Sequence, residues 1–265
     1  MDQLHKQLGH PNDHVVKSTA QCLGMNTKGS HTPCIHCAIG KAKKKNISKV
    51  NFHLATSKGE RLCIDISYIT ATSLGGSQYW LLIQDEFTGY IWSLFLKSRD
   101  EQATKFIPWL HIFEKDNNLQ VKFIRCDNSG ENLSLMSSIQ EDQYLSIKFE
   151  LVAPYTPEQN GKVERKFATL YGKVRATLNW AQVTPYLRSK LWAQCANTAC
   201  QLDNILCKKD EDMTAAQLFY GNNPNWVKNL RTFGEIGVVH DEKHAKIWGK
   251  LKDRGIPCMF IGYSE

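Results

Sequence analysis

The sequence predicts an α/β domain on a mixed sheet, with a small His/Cys-rich segment ahead of it and a small β-rich segment behind it. Three observations carry this. From Glu60 onward, short apolar runs rich in β-formers alternate with segments of helical spacing, in the order strand, strand, strand, helix, strand, helix, strand, helix, with further helices after. Residues 1–40 are rich in His and Cys and poor in large apolar side chains. After "GNNPNW" the chain turns into short β-like pieces separated by Gly and Pro.

The bulk numbers narrow the class. Of 265 residues, 42% are hydrophobic and 10% aromatic, which suits a packed globular chain rather than a disordered one. No apolar run approaches the roughly 20 residues that span a bilayer. The N-terminus is polar and His-rich, so no signal peptide is expected. Nine cysteines, an odd number scattered over a long chain, favour reduced thiols and a metal site over a disulfide framework, and hence an intracellular protein. The net charge of +7 is concentrated at the front, where residues 1–60 carry nine lysines against three acidic side chains. Its densest run is "KAKKK", Lys41 to Lys45. Such a cluster suits a polyanion, and equally suits a solvated linker.

Each element has its own signal. "RLCIDISYI" and "QYWLLIQDEF" read as buried strands, and "GYIWSLFLKS" as a third, joined to the second by a tight turn at Thr88-Gly89. "DEQATKFIPWLHIFEKDNN" has helical spacing, although Pro108 removes a backbone donor inside it. "VKFIRCD" is a fourth strand ending at Asp127 and the turn "NSGEN". A helix over 133–144, a strand over 147–152, a long helix over 155–178, a second over 186–206 and a short third over 214–220 complete the domain. "RTFGEIGVVH", "KIWGK" and "CMFIGYS" then suggest a small β-domain that breaks off at the end of the chain. The expected organisation is 1–45 metal-stapled, 46–60 linker, 61–222 core and 223–265 β-domain.

Two constellations carry chemistry. His5 and His10 are spaced H-x4-H, and Cys34 and Cys37 are spaced C-x2-C. Four nitrogen and sulfur ligands make a closed tetrahedral site, the pattern of structural zinc. His14, His31 and His36 are spare candidates. The second set is three carboxylates on different elements: Asp65 inside the first strand, Asp127 at the end of the fourth, and Glu164 on the long helix. Oxygen ligands alone favour hard ions, Mg²⁺ or Mn²⁺, and two such ions serve phosphodiester chemistry. Taken singly, Asp127 also suits a turn and Glu164 also suits an ordinary helix surface. Asp85-Glu86 is a rival acidic pair. On the long helix, Val163, Phe167, Leu170, Val174 and Leu178 form one buried stripe with Glu164 at its margin, while Lys162, Lys166 and Lys173 line the other flank.

These motifs, in this order, resemble the integrase of copia-type LTR retrotransposons nearly end to end. "HKQLGHPN" is similar to that family's N-terminal His motif and "CIHCAIGKAKKK" to its Cys-x-x-Cys-x-x-Gly-Lys motif. "LCIDI" matches its first-strand Asp, "IRCDNSGE" resembles its Arg-Ser-Asp-Asn-Gly-Gly-Glu motif, and "PYTPEQNGKVERK" resembles its Pro-Tyr-Thr-Pro-Gln-Gln-Asn-Gly-x-x-Glu-Arg motif. "LRTFGEIGVVH" and "FIGYSE" look like the small β-barrel that follows the core.

The resemblance implies a ribonuclease H-like core with a mixed five-stranded sheet, a zinc-binding helical domain before it and a small Src-homology-3-like β-domain, truncated here, after it. It implies a catalytic Asp65, Asp127 and Glu164 on Mg²⁺ or Mn²⁺, and zinc on His5, His10, Cys34 and Cys37. The reaction would be strand transfer, joining 3′-hydroxyl ends of element cDNA to host DNA. Lys41, Lys43, Lys44, Lys45, Lys162, Lys166 and Lys173 would contact DNA phosphates. Partners would be double-stranded DNA and further copies of the chain, with no membrane. The place of action would be nuclear, with assembly in cytoplasmic particles. Alternatives are a catalytically impaired DNA-binding or assembly protein and a nuclease of the same fold that uses water. The chain departs from the family at Cys126, Ser129, Phe167 and Ala168, the last two being places where DNA contacts on the Glu164 flank would weaken.

Overall fold

The structure, a computed structural model, describes residues 1–8, 10–26, 28–29, 32–40, 54–152, 157–207, 212–240 and 254–263, without the side chains of residues 40, 152 and 157–161. Lys41, Lys43, Lys44, Lys45, His31 and the "KIWGK" piece lie outside these residues. The chain divides into two compact units, Met1–Val50 and Asn51–Glu265.

The first unit holds three short helices, α1 (Asp2–Gln7), α2 (Asp13–Cys22) and α3 (Ile35–Gly40). The Asn12 side chain caps α2 by accepting the Val15 N–H at 2.9 Å. Asp2 accepts from the Thr32 amide at 3.0 Å and from its hydroxyl at 2.6 Å, which ties α1 to the chain ahead of α3. Among the described residues of this unit, Val16 and Ala20 are the fully buried apolar side chains. Such a small core is of the kind that a cross-linking metal supplements.

The second unit is built on β1 (Arg61–Tyr68), β2 (Tyr79–Asp85), β3 (Ile91–Leu96), β4 (Phe123–Asp127) and β5 (Lys148–Val152), in the sheet order β3-β2-β1-β4-β5. β1–β2 and β2–β3 are antiparallel, while β1–β4 and β4–β5 are parallel. The sheet is therefore mixed and five-stranded, with the first and fourth strands adjacent. Side chains alternate between its faces. Leu62, Ile64, Leu81, Ile83, Ile124 and Cys126 enter a core covered by α4 (Glu101–Asn117), α5 (Gly130–Glu141) and α8 (Ala215–Tyr220). Cys63, Trp80, Leu82 and Ile91 enter a second core covered by α6 (Pro157–Trp180) and α7 (Pro185–Asn204).

Pro108 does not break α4, which runs on to Asn117; the ring sits on the exposed face, away from the buried Phe106, Leu110 and Phe113. α5 starts at Gly130, three residues earlier than the periodicity predicts, because extended Ser129 is its N-cap and the apparent turn "NSGEN" holds the first helical turn. α6 buries the predicted stripe of Val163, Phe167, Leu170, Val174 and Leu178. α8 opens on a reciprocal cap between Thr214 and Gln217 and ends at Gly221 with φ 82°.

Of the expected β-barrel, the described residues contain one antiparallel ribbon, β6 (Ile236–His240) with β7 (Gly255–Met259). Phe233 buries into the α6–α7 core beside it, and Trp226 stacks on Tyr263 at 4.1 Å. No helix among the described residues is long and apolar enough to cross a membrane.

Candidate metal centres and nucleic-acid interface

In the first unit, one ligand atom each from His5, His10, Cys34 and Cys37 lies within 4.8 Å of all the others. Four of the separations are resolved individually. His5 Nε2 to His10 Nδ1 is 3.1 Å, His5 Nε2 to Cys37 Sγ is 3.3 Å, and His10 Nδ1 lies 3.5 Å from Cys34 Sγ and 3.6 Å from Cys37 Sγ. A tetrahedral zinc ion with its usual bond lengths separates two nitrogens by about 3.3 Å and a nitrogen from a sulfur by about 3.6 Å. The four side chains therefore fit that ion. His5 Nδ1 is engaged by the Pro11 carbonyl at 2.9 Å, which fixes the tautomer and leaves Nε2 as the ligand atom. Cys34 is drawn down to about 7, first by the backbone N–H of Cys37, which with the His5 side chain and the His36 amide outweighs the opposing effect of burial. A thiol near 7 is partly thiolate at neutral pH, as a zinc ligand must be. His14 and His36 are exposed and stand outside the cluster.

In the second unit, the strand period and the register bring two of the carboxylates together. Cys63 of β1 pairs with Arg125 of β4, so two residues further along the same parallel register Asp65 faces Asp127. Both point to the α6 side, since their neighbours Ile64 and Cys126 point to the other core. Glu164 comes from α6, beside buried Val163. The proximity has an electrostatic signature. Asp65 is pushed up to about 7, by burial first, then by the negative charges of Asp127 and Glu164. Among the described residues, none of the three carboxylates has a cationic side chain within ion-pair distance. An all-oxygen donor set carrying uncompensated negative charge fits a divalent hard cation.

Asp127 is held by its surroundings. Its Oδ1 accepts from Asn132 Nδ2 at 2.6 Å and from the Ser129 amide at 3.3 Å. Ser129, a departure from the family pattern, thus serves both as the cap of α5 and as a donor to Asp127. Cys126 is buried on the other face, with its thiol pushed up to about 12 by burial first, so it is an inert core residue. On α6, the Tyr171 hydroxyl donates to Ser67 Oγ at 2.6 Å, linking the helix of Glu164 to the strand of Asp65.

The lysines of α6 divide. Lys162 is half-exposed and stands 3.7 Å from Glu86. Lys166 and Lys173 both reach Asp203 of α7, at 2.7 and 2.5 Å, and are mostly buried. Their ammonium groups are engaged in joining α6 to α7. Phe167 is 5% exposed and meets Trp80 edge-on at 5.1 Å, so it belongs to the core and not to a DNA-facing flank; Ala168 is exposed.

The rival pair Asp85-Glu86 has two structural duties. Asp85 accepts from the amide and hydroxyl of Thr88 and from the Gly59 amide, closing the β2–β3 turn. Glu86 belongs to a closed ring of charges that sequence reading missed. Arg61 bonds Glu86 at 2.6 Å and Glu150 at 2.9 Å, while Arg125 bonds Glu86 at 2.9 Å and Glu150 at 2.7 Å. The available signal was an arginine inside the apolar strand "FIRCD", since a buried guanidinium requires carboxylate partners. Gln102 and Asn132, both buried, were also missed.

No family model matches the chain. By sequence it is 28% identical over 276 residues to the retrovirus-related Pol polyprotein from transposon TNT 1-94 of Nicotiana tabacum, covering all of this chain and 20% of that protein. It is 25% identical to the corresponding polyprotein from transposon RE1 of Arabidopsis thaliana, covering 98% of this chain and 17% of the relative. The chain thus spans about a fifth of the length of these relatives. By structure, a chain of the simian T-cell lymphotropic virus intasome, solved in complex with PP2A regulatory subunit B56 gamma, matches over 97% of this chain and 87% of its own. The match has a TM-score of 0.57 at 16% identity, which makes the likeness one of fold. In sequence the chain is thus similar from end to end to a segment of transposon Pol polyproteins, and in fold to a chain of a retroviral intasome.

Proposed function

We propose that the chain is a DNA strand transferase, joining 3′-hydroxyl ends of element cDNA to target DNA. The observation that carries this is that Asp65 faces Asp127 across the β1–β4 register, within reach of the Glu164 charge and with no ion-pair partner for any of the three among the described residues. These three would hold Mg²⁺ or Mn²⁺, which when bound lowers the barrier to attack by a hydroxyl and stabilises the leaving oxygen. In the reaction the terminal 3′-oxygen bonds to a target phosphorus as that phosphorus loses its bond to the target 3′-oxygen. The attacking hydroxyl gives up its proton and the departing oxygen gains one. Lys162, half-exposed near Glu86, would meet a phosphate; Lys41, Lys43, Lys44 and Lys45 would add sequence-independent affinity. His5, His10, Cys34 and Cys37 would hold a structural zinc that cross-links the first unit. Holding two DNA ends calls for more than one copy of the chain. The site of action would be the nucleus, after assembly in cytoplasmic particles, and the functional segments would be 1–45, 46–60, 61–222 and 223–265.

The test is joining of an end-mimicking oligonucleotide to supercoiled plasmid in Mn²⁺. Joined product is expected from the wild type and none from Asp127→Asn. Nicked plasmid without joined product identifies a nuclease instead. Robust joining by Asp127→Asn removes the triad from the chemistry.

A further inference from the structure

We infer that Gln102 and Asn132 form a positioning relay that sets which oxygen of Asp127 is offered to a metal ion. The relay is a chain of two hydrogen bonds. Gln102 Nε2 of α4 donates to Asn132 Oδ1 at 2.8 Å, and Asn132 Nδ2 of α5 donates to Asp127 Oδ1 at 2.6 Å. Asn132 Nδ2 also lies 3.3 Å from the Asp127 carbonyl oxygen. Both amides are buried, Gln102 at 1% and Asn132 at 3% exposure, in a core otherwise filled with apolar side chains. A polar side chain in that position is costly unless it is hydrogen-bonded, and its geometry is then fixed.

The orientation is determined by what the partners can do. Asp127 in its ionised form only accepts, so Asn132 must present its NH₂ to it, and its carbonyl then faces Gln102. Gln102 answers with its own NH₂, which leaves Gln102 Oε1 buried with no hydrogen-bond partner among the described residues. Retaining an orphaned buried oxygen is destabilising by about 1–3 kcal/mol, so the pair is a poor choice for packing alone. The consequence falls on Asp127. Its Oδ1 is taken by Asn132 and by the Ser129 amide, while Oδ2 accepts no hydrogen bond from the described residues. Oδ2 is therefore the oxygen presented to Asp65 and Glu164, and Asp127 would bind as a single-oxygen ligand. Gln102 acts on the site only through Asn132, and neither residue touches substrate.

This inference rests on the proposed metal role of the carboxylates, and the experiment separates the two. Mn²⁺ binding to the full, zinc-saturated chain is followed by electron paramagnetic resonance of free Mn²⁺, with thermal unfolding measured alongside. The wild type is expected to bind, and Asp127→Asn to lose that binding; a wild type that binds no Mn²⁺ overturns the metal reading itself. Asn132→Leu, of similar volume, is expected to weaken Mn²⁺ binding about 10-fold or more, the range for outer-shell partners of metal ligands. Gln102→Leu, which frees Asn132 to rotate, is expected to weaken it about 3-fold while leaving the unfolding temperature equal or higher, and the double variant to bind no worse than Asn132→Leu. Should Asn132→Leu fail to fold, Gln102→Leu decides alone. A folded variant of either kind that binds Mn²⁺ within twofold of a binding wild type overturns the relay and leaves the metal reading standing.

Discussion

Replacing Asp203 by Asn tests whether the α6 lysines belong to the protein or to DNA. Asp203 is buried on α7 and takes Lys166 at 2.7 Å and Lys173 at 2.5 Å from α6. Burial pushes its carboxyl up, but the hydrogen bonds and charges of the two lysines outweigh burial and hold it below the usual carboxylate range. Removing one partner of a buried ion pair costs roughly 3–5 kcal/mol. Lys173 is 30% exposed and can turn to water, so the expected loss here is smaller, about 2–3 kcal/mol. For a unit of this size that lowers the unfolding temperature by about 4–12 °C. The linkage sign follows from a depressed folded value: the pair's contribution is present above the unfolded carboxylate range and is lost as pH falls through the folded value. Asp203→Asn should thus match wild-type stability in acid and fall below it near neutrality. The companion variant Lys166→Met should be destabilised while its duplex DNA affinity keeps the wild-type salt dependence. Unfolding of Asp203→Asn within about 0.5 kcal/mol of wild type refutes the clamp. So does a salt slope in Lys166→Met reduced by about one phosphate contact.

Three further outcomes are expected. Lys162→Ala should weaken duplex binding evenly across sequences and lower the slope of log affinity against log salt by about one, measured by fluorescence anisotropy. Metal analysis should find one zinc per chain, and chelation or Cys37→Ser should release it and unfold the first unit, read as lost helical circular dichroism and faster proteolysis before residue 50. Glu86→Gln leaves Arg61 and Arg125 dependent on Glu150 alone and should cost about 3–5 kcal/mol in denaturant unfolding.

The sheet was legible because its strands are short apolar runs rich in β-formers and bounded by turns. "LCIDISY" alternates so that Asp65 departs from one face only, and a single parallel register then places it against Asp127. The cluster of His5, His10, Cys34 and Cys37 was legible from the H-x4-H and C-x2-C spacings, while His14, His31 and His36 stayed as spares until the structure gathered the four. The fates of Lys166 and Lys173 were not, because each depends on a partner far off in sequence: Asp203 lies 37 positions beyond Lys166 and 30 beyond Lys173. Helical phase set both on the flank opposite Glu164 and could not tell a flank that meets α7 from one that meets solvent. Glu86 shows the same limit from the other side. An acidic pair at a strand end reads as a ligand set until the two arginines on neighbouring strands are seen to claim it.

The distribution of charge on the α6 face then supports the cation argument by elimination. Arg61, Glu86, Arg125 and Glu150 neutralise one another in a closed ring, and Asp203 takes Lys166 and Lys173. Lys162 stands by Glu86 at 3.7 Å. Each of these cations is thereby drawn to some other acid, although Arg125 sits only two residues before Asp127. Asp65 is left to meet two negative charges, and its shift to about 7 records that repulsion after burial. A structural carboxylate would be expected to recruit one of these nearby bases, as Glu86 and Asp203 do. Three that recruit none, one inside a strand, one at the end of its neighbour and one on a packed helix, suit the proposed role of holding a cation.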